Sequence, residues 1–379
     1  MIYTLFIIMF TSIIFQSCSQ PMEPGKDYAF ADIIQPIPIT NIQKDSAWNI
    51  WCGSMVKGYD NKYHLYYSRW PRSCGHEAWI SHSEIAYAVS DTPDGPYQFV
   101  NVSIPAYAEK GWDNATSHNP YIIQYNNKYY LYYAGTTGNL VNSDHKIAAY
   151  GAEWWERRNT QRIGVAVADN PQGPWKRFNT PVLSVSSDST AFDALCVTNP
   201  AICIGRNNKI VMVYKAVSKN GTQSGGVVRF SVAFADSPTG PFIKTNQLIF
   251  QPEKESEQMV AEDPFIWFDK KRDKYYAIVR DVVGQFTGED SGGLALLQSK
   301  DAIHWTKTKR PKVLPVTLQW ENGTLYHAKE DHVERPFLYF NEKGIPELLF
   351  GAFSIHRNGI HREHSFNGRI PLKFKSNSY

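Results

Sequence analysis

The sequence predicts an all-β protein, a five-bladed β-propeller, and three observations support this. A unit made of a polar turn, an apolar strand, a short polar turn and a second apolar strand occurs five times. A second motif, Asp-x-Pro-x-Gly-Pro-aromatic, closes three of the units, and the repeats cover nearly the whole chain. Repeated β units of this size are typical of radial repetition, in which each small sheet packs against its neighbours.

The turns that open the units can be aligned by eye. The first unit begins at Trp51-Cys52-Gly53-Ser54 and lacks proline. The other four turns end in proline, at Asn119-Pro120, Asn199-Pro200, Asp263-Pro264 and Arg335-Pro336. Apolar runs follow each of them, so each unit is predicted to contain three or four short strands.

A β-sandwich is the competing fold, because it also joins short strands by regularly spaced turns. The closing motifs at 91–97, 169–175 and 236–242, with a degenerate copy at 300–305, favour the propeller. Proline presets φ and glycine accepts positive φ, so a Pro-x-Gly-Pro sequence suits a tight turn. A sandwich gives no reason for the same turn to recur.

The repeats predict one domain over residues 49–379, although 379 residues are enough for two. Blades are expected at about 51–100, 112–178, 193–244 and 262–307 and from 334 onward. A terminal strand, from either 28–39 or 370–375, is expected to close the ring. The longest insertions, 138–160 and 251–260, are candidate substrate-shaping loops.

The N-terminus indicates export. Residues 1–20 are apolar and then small and polar, which predicts a signal peptide, although no Lys or Arg precedes the apolar run. The sequence around Cys18 resembles a bacterial lipoprotein cleavage site, which implies lipidation of Cys18 and a tether to the membrane surface. The alternative is that Cys18 is discarded with the signal peptide. Residues 21–48 are expected to be a linker, and the protein is expected in the periplasm, outer membrane or cell surface.

Charge and cysteine content limit the partners. The net charge is +3, with 39 Lys and Arg against 36 Asp and Glu and no basic run, which argues against nucleic acid. Cys52 and Cys74 are a candidate disulfide, whereas Cys203 lies in an apolar strand. No Cys-x-x-Cys spacing occurs and the histidines are scattered, so no zinc site is predicted.

The turns that open the units are expected to converge at one mouth of the channel, because inner strands line the axis of a propeller. Buried acids that converge are costly unless they are used or paired, so this mouth is the predicted site. Two carboxylates, one protonated and one ionised, are the minimal equipment for glycoside hydrolysis. The candidates are Asp113, Glu262, Asp263 and Glu334, with Glu262-Asp263 the strongest; Asp193 is interpreted as structural.

Other side chains are candidates for substrate binding. Trp51, Trp70 and Trp112 are candidate sugar platforms, although packing in the core is the alternative. Arg69, Lys215 and Arg280 end strands in three units, which predicts a cationic element suited to an anionic or sulfated sugar. The mouth is expected to add further polar groups from the opening turns: Ser54, His118, Asn119, Asn199 and Arg335.

The stretch from Trp51 to Phe353, with strands such as NKYYLYYA and closures such as DNPQGPW, resembles the five-bladed propeller glycoside hydrolases. Family 43 and the family 117 anhydro-galactosidases are the most similar groups. This resemblance implies an inverting hydrolase with a general base, a general acid and a third acid that orients them. It permits an axial cation and implies no other cofactor or metal. The usual first-blade acid is absent, so Asp113 is the substitute base, Asp263 or Glu262 the acid or modulator, and Glu334 the third acid.

The leading functional prediction is an exported glycoside hydrolase that acts on a plant or algal polysaccharide or oligosaccharide. A catalytically inactive glycan-binding lipoprotein is the alternative, which the missing first-blade acid favours. A retaining enzyme of the fructosyl type would need a nucleophilic Asp on the first blade, so the same absence counts against it.

Overall fold

The computed structural model describes residues 28–107, 111–140, 146–289, 292–327, 332–357 and 360–374. In these ranges, five four-stranded antiparallel sheets form the blades of a β-propeller, which confirms the predicted fold class. The signal peptide and Cys18 lie outside the described residues.

The first three blades follow the chain in order. Blade one consists of Trp48–Lys57, Tyr63–Pro71, Glu84–Ser90 and Gln98–Ile104. Blade two consists of Thr116–Tyr125, Lys128–Thr136, Arg162–Ala168 and Lys176–Arg177. Blade three consists of Cys196–Ile204, Ile210–Val217, Val228–Ala235 and Ile243–Ile249.

Blade four consists of Ala261–Asp269, Lys274–Asp281, Leu294–Ser299 and Trp305–Leu314. Blade five consists of Val333–Phe340, Pro346–Arg357, Ile360–Pro371 and, on its outer edge, Ile42–Gln43. A separate hairpin, Thr317–Gln319 with Leu325–His327, lies between blades four and five in the chain.

The N-terminal strand closes the ring. Ile42 pairs with Gly368 in the antiparallel ladder of blade five, and a further bridge joins Ile34 to Leu372. The closing strand therefore lies just after the expected 28–39 segment, and it pairs with the last strand of the chain. The start and end of the propeller are held together by this backbone pairing.

The closing motifs join neighbouring blades. The buried Tyr66 hydroxyl of blade one donates to the Pro171 carbonyl oxygen in the closing turn of blade two. Tyr132 of blade two donates to the Pro238 carbonyl oxygen in blade three at 2.5 Å, and Arg369 of blade five donates to the Asp94 carbonyl oxygen in blade one at 2.7 Å. The recurring turn thus serves as an acceptor for the adjacent sheet.

Each innermost strand contains a bulge at the same place. Its central residue has positive φ, between 46° and 55°, in all five blades: Cys52, Asn119, Asn199, Asp263 and Arg335. The pairing register with the second strand shifts across each of these residues. Left-handed backbone costs a non-glycine residue roughly 1 kcal/mol or more, and a bulge re-aims the side chains beside it.

Helices are few and short. Trp79–His82, called α1, follows the second strand of blade one, and Ala152–Asn159, called α2, follows that of blade two. The described chain also has short 3-10 turns: Phe30–Asp32, Ile39–Asn41, Arg72–Cys74, His76–Ala78 and Arg206–Asn208. None of the described helices is long and apolar enough to cross a membrane.

The predicted Cys52–Cys74 disulfide is wrong. Both residues are buried thiols, and the Cys52 sulfur lies 3.4 Å from the Ser68 hydroxyl and 3.7 Å from Asn119 Oδ1. The backbone bulge turns the Cys52 side chain toward the propeller axis, so its neighbours come from strands around that axis. Cys203 is buried in the core, as its apolar strand predicts.

Candidate active site

The five left-handed residues form a ring around the axis, which we call the axial ring. Asn119 Nδ2 donates to Asn199 Oδ1 at 2.7 Å, and Asn199 Nδ2 donates to Asp263 Oδ1 at 2.8 Å. Arg335 Nη1 also donates to Asp263 Oδ1 at 2.8 Å, while Cys52 contacts Asn119. The ring therefore joins all five blades through side chains.

The residue before each axial-ring residue faces a cavity of about 370 Å³ at one mouth of the channel. These five cavity residues are Trp51, His118, Thr198, Glu262 and Glu334. Because the bulge is repeated, equivalent positions from sequence segments about 280 residues apart are presented to the same space. The predicted convergence of the opening turns is thus observed.

Three carboxylates meet at the blade four and five side of the cavity. Suitable oxygens of Glu262, Asp263 and Glu334 lie within 4.8 Å of one another. That spacing would allow them to share a cation, but basic side chains already contact each carboxylate. An axial metal therefore stays a prediction from the resemblance.

The basic partners of the two glutamates come from three strands. Lys215 Nζ lies 2.5 Å from Glu262 Oε1, and Arg280 Nη1 lies 2.9 Å from Glu262 Oε2. Arg280 Nη1 also lies 3.3 Å from Glu334 Oε1, and Arg362 Nη2 lies 2.7 Å from the same oxygen. Both oxygens of Glu262 are thus occupied, whereas the two contacts of Glu334 use Oε1 alone.

These surroundings separate the pKa values of the acids. Burial alone would raise the pKa of Glu334, but Arg362 and Arg280 outweigh it and lower that pKa to about 2. Burial is likewise opposed at Glu262, where Lys215 holds the pKa below its usual value. At Asp263 burial, with the neighbouring Glu262 and Glu334 charges, prevails over Arg335 and raises the pKa to about 6.

A fourth acid, Glu77, lines the cavity and was not predicted. It lies in the 3-10 turn His76–Ala78; Trp79 Nε1 donates to its Oε2 at 3.3 Å, and Trp154 Nε1 donates to its backbone oxygen at 3.1 Å. Burial raises its pKa, although Arg362 opposes the shift. In the part of the chain that the structure describes, no other blade has a 3-10 turn at this place, so the repeat gave no signal for it.

Aromatic side chains form one wall. Trp79 stacks on His118 with ring centroids 4.9 Å apart, and Trp79 meets Trp154 edge-on at 5.7 Å. The predicted platforms Trp51 and Trp70 also line the cavity, but both are almost fully buried. Burial holds the pKa of His118 well below its usual value, so this imidazole is neutral; its Nδ1 lies 2.8 Å from the Ser83 hydroxyl.

Both predicted substrate-shaping insertions reach the cavity. The first supplies Tyr150 and, from α2, Trp154, Trp155 and Arg158; the second supplies Met259. Arg362, from the third strand of blade five, is a further lining residue that was not predicted. Its guanidinium also lies 3.2 Å from His76 Nε2 and over the Trp51 ring.

Asp113 is not brought to the cavity, contrary to its predicted place as the base. Its carboxylate is buried and accepts hydrogen bonds from the Tyr133 hydroxyl and from Arg177, each at 2.5 Å. Asp193 occupies the equivalent place in blade three, where Lys244 Nζ lies 2.5 Å from its Oδ2. The two aspartates tie the start of a blade to its outermost strand.

Three other predicted binding residues also lie elsewhere. Trp112 stacks on Tyr133 and donates from its indole nitrogen to the Phe178 carbonyl oxygen. Arg69 pairs with Glu84 at 2.9 Å and does not line the cavity. Ser54 lies deeper in the channel, where its hydroxyl accepts a hydrogen bond from the Ile122 amide.

The remaining predicted residues are at the site. Asn119, Asn199, Lys215 and Arg335 line the cavity. Arg280 stands behind the acids and contacts two of them. The structure thus brings together three of the four candidate catalytic acids and most of the candidate binding residues.

The fold is a five-bladed propeller of the kind found in glycoside hydrolases. A family 117 glycoside hydrolase from the marine bacterium Zobellia galactanivorans is similar, with 18% identity, a TM-score of 0.57, and coverage of 94% of this chain and 90% of that one. An endo-arabinase from Bacteroides thetaiotaomicron has 11% identity and a TM-score of 0.54, covering 91% of this chain and 99% of its own.

A family 43 enzyme from Xanthomonas citri, solved with xylotriose, has 12% identity and a TM-score of 0.52, with coverage of 93% of this chain and 94% of that chain. The predicted likeness to this superfamily is confirmed at the level of fold. No protein-family model and no curated protein sequence matches the chain.

Proposed function

We propose that the protein is a glycoside hydrolase that cleaves a polysaccharide or oligosaccharide at the mouth of the propeller, with inversion of configuration. One observation carries this proposal: the cavity brings together carboxyl groups with lowered pKa values, Glu262 and Glu334, and carboxyl groups with raised pKa values, Glu77 and Asp263. Groups whose environments push their pKa values apart are suited to act as general base and general acid.

Glu334 is the proposed general base. Its lowered pKa keeps it ionised at neutral pH, and its Oε2 has no hydrogen-bond partner among the described residues. That oxygen is available to accept a proton from an attacking water, while Arg362 and Arg280 hold Oε1 in place. Glu262 is less suited to this role because Lys215 and Arg280 occupy both of its oxygens.

Glu77 is the proposed general acid. Its raised pKa favours the protonated form, and it is positioned on the tryptophan wall by Trp79 and Trp154. A protonated carboxyl group there would donate to the leaving glycosidic oxygen. Asp263, with its carboxylate fixed by Asn199 and Arg335, is proposed to hold the axial ring in register and to take no part in proton transfer.

The test is release of reducing sugar from a panel of plant and algal polysaccharides and oligosaccharides, with product anomers followed by proton NMR. Glu334→Gln should abolish release while sugar binding persists, and the exposed Glu156→Gln on α2 is the matched control. Retained configuration in the product would overturn the inverting mechanism. Full activity of Glu334→Gln would overturn its role as base.

The alternative function is a glycan-binding propeller without turnover. Two observations favour it. A basic side chain contacts each of Glu262, Asp263 and Glu334, and the first blade has Cys52-Gly53-Ser54 where an acid is expected. Binding of one glycan by calorimetry, with no product from any member of the panel, would support this alternative over hydrolysis.

We also propose, from the first 20 residues, that the protein is exported and tethered through a lipid on Cys18. Labelling of cells with a radioactive fatty acid should mark the wild-type protein and leave Cys18→Ala unlabelled. Equal labelling of both would overturn the tether, and recovery of the intact N-terminus in the cytoplasm would overturn export.

A further inference from the structure

The wall of the cavity formed by blades two and three carries arginines that no carboxylate balances. Arg158, on α2, lines the cavity and donates to Asn159 Oδ1 at 2.9 Å and to the Ser224 carbonyl oxygen at 3.1 Å. Its Nη1 also lies 3.7 Å from the Cys196 sulfur, and its guanidinium lies 5.0 Å from the centre of the Trp155 ring. All these partners are neutral.

Two more arginines stand directly behind the lining residues. Arg162 Nη1 donates to the carbonyl oxygens of Asn159, Gln161 and Leu195 at 2.6 to 3.4 Å. Arg229 Nη1 donates to those of Val228, Glu257 and Gln258 at 2.8 to 3.2 Å. Burial lowers the pKa of both arginines. Along the described chain, neither of them nor Arg158 contacts a side-chain carboxylate.

The contrast with the opposite wall is sharp. Around the three carboxylates of blades four and five, the basic side chains each contact Glu262, Asp263 or Glu334: Lys215 from blade three, Arg280, Arg335 and Arg362. Each of these cations has a carboxylate partner, whereas Arg158 has none among the described residues. Uncompensated charge in a partly dry cleft attracts an anionic ligand and orients it.

We propose that the substrate carries an anionic substituent, a carboxylate or a sulfate ester, that binds Arg158 while the scissile bond lies at Glu77 and Glu334. This inference rests on the proposed function of the same cavity. The planar guanidinium has N–H groups beyond its present contacts, and it suits bidentate recognition of either anion. The Trp155 ring beside it offers an apolar face to the sugar that carries the charge.

The experiment compares charged and neutral forms of one sugar. Oligogalacturonates are paired with their carboxyl-reduced forms, and sulfated galacto-oligosaccharides with their desulfated forms. Binding is measured by calorimetry and hydrolysis by kcat and KM, for wild type, Arg158→Gln and the control Arg206→Gln, whose guanidinium pairs with Asp273 on the surface.

The wild type should bind one charged form at least about tenfold more tightly than its neutral partner, because a hydrogen bond to a charged group is stronger than one between neutral groups. Arg158→Gln should lose this preference through KM, with kcat little changed, and Arg206→Gln should keep it. An effect in the oligogalacturonate pair would identify the anionic substituent as a carboxylate, and an effect in the sulfated pair would identify it as a sulfate.

Failure of this inference is distinguishable from failure of the proposed function. Hydrolysis of neutral sugars with no effect of Arg158→Gln would overturn the anionic substrate and leave the hydrolase. Binding of a charged sugar that depends on Arg158, without any turnover, would support the anionic ligand and overturn hydrolysis. An equal preference for charged sugar in Arg158→Gln and wild type would also overturn the role of Arg158.

Discussion

Arg280 Nη1 contacts Glu262 Oε2 at 2.9 Å and Glu334 Oε1 at 3.3 Å, so one guanidinium joins the acids of blades four and five. Only about an eighth of the Arg280 side chain is exposed, 12%. In such a position, loss of this cation would leave two carboxylates near each other with one cationic partner each, Lys215 at Glu262 and Arg362 at Glu334.

Arg280→Met should therefore destabilise the fold by about 3 to 5 kcal/mol, the usual cost of removing one partner of a buried ion pair. The free energy of unfolding by urea measures it, and Arg280→Lys should lose less. The same change should raise the pKa values of Glu262 and Glu334. As pH is lowered, the activity of Arg280→Met should therefore begin to fall at a higher pH than that of the wild type. A stable Arg280→Met protein with an unaltered pH profile would contradict the proposed coupling.

Glu77→Gln should abolish the supply of a proton to the leaving group. For natural sugars, kcat should fall by about 10² to 10⁴-fold, the usual contribution of general acid catalysis. Aryl glycosides with acidic phenol leaving groups need little protonation, so their hydrolysis should be nearly spared. The alkaline decline of the wild-type pH profile should disappear in the variant, because it reports the deprotonation of Glu77.

Glu156→Gln on the exposed face of α2 is the matched control and should behave like wild type in each of these assays. Equal losses on natural and activated substrates in Glu77→Gln would indicate a binding role in place of proton donation.

Asp113→Asn should act on stability and leave chemistry intact. Because the Asp113 carboxylate is locked between Tyr133 and Arg177, its loss should lower the free energy of unfolding by about 3 kcal/mol. At temperatures where the variant is folded, kcat should match wild type. Asp193→Asn should give the same pattern through Lys244. A folded Asp113→Asn protein without turnover would restore Asp113 as the base.

Glu334 should stabilise the protein at neutral pH and not at low pH. Its pKa is lowered to about 2 in the folded state from about 4.5 unfolded, so the folded state releases its proton more readily. The contribution, about 3 kcal/mol from a shift of that size, is fully present above pH 4.5 and is lost as pH falls toward 2. Unfolding curves of wild type and Glu334→Gln should converge over that range.

Asp263 should have the opposite pH dependence. Its pKa is raised to about 6, so the folded state holds the proton more tightly than the unfolded chain. Its contribution favours folding below about pH 3.8 and is lost as pH rises through 6. Asp263→Asn should remove this dependence between those limits, as measured by the pH course of the unfolding free energy. A variant with the wild-type slope would contradict the raised pKa.

The repeats were sufficient to predict the fold because each blade uses the same local chemistry. Two features recur with the blades: the proline and glycine of the closing motif, and a polar residue before the proline of the opening turn. The closing turn accepts a hydrogen bond from a neighbouring blade, and the residue before the proline forms the bulge. The axial positions, such as Asn199 and Asp263, could therefore be predicted from alignment within the chain alone.

Site residues outside the repeated segments could not be predicted in this way. Glu77 and Arg362 lie in segments that occur once, so no repeat indicates where they point. Asp113 was misplaced because its neighbour Trp112 suggested a sugar site, whereas the similar Phe192-Asp193 already pointed to a shared structural use. For Asp113 and Asp193, recurrence in equivalent places outside the opening turns indicates a structural role.

The left-handed bulge places five equivalent residues, one from each blade, at the cavity. At each of these positions, the residue that follows in the chain has positive φ and belongs to the axial ring, and the residue before it faces the cavity. This chain reads Trp51, His118, Thr198, Glu262 and Glu334. These five residues form the floor of the site. Two propellers of this architecture can therefore be compared by the residues at these five positions.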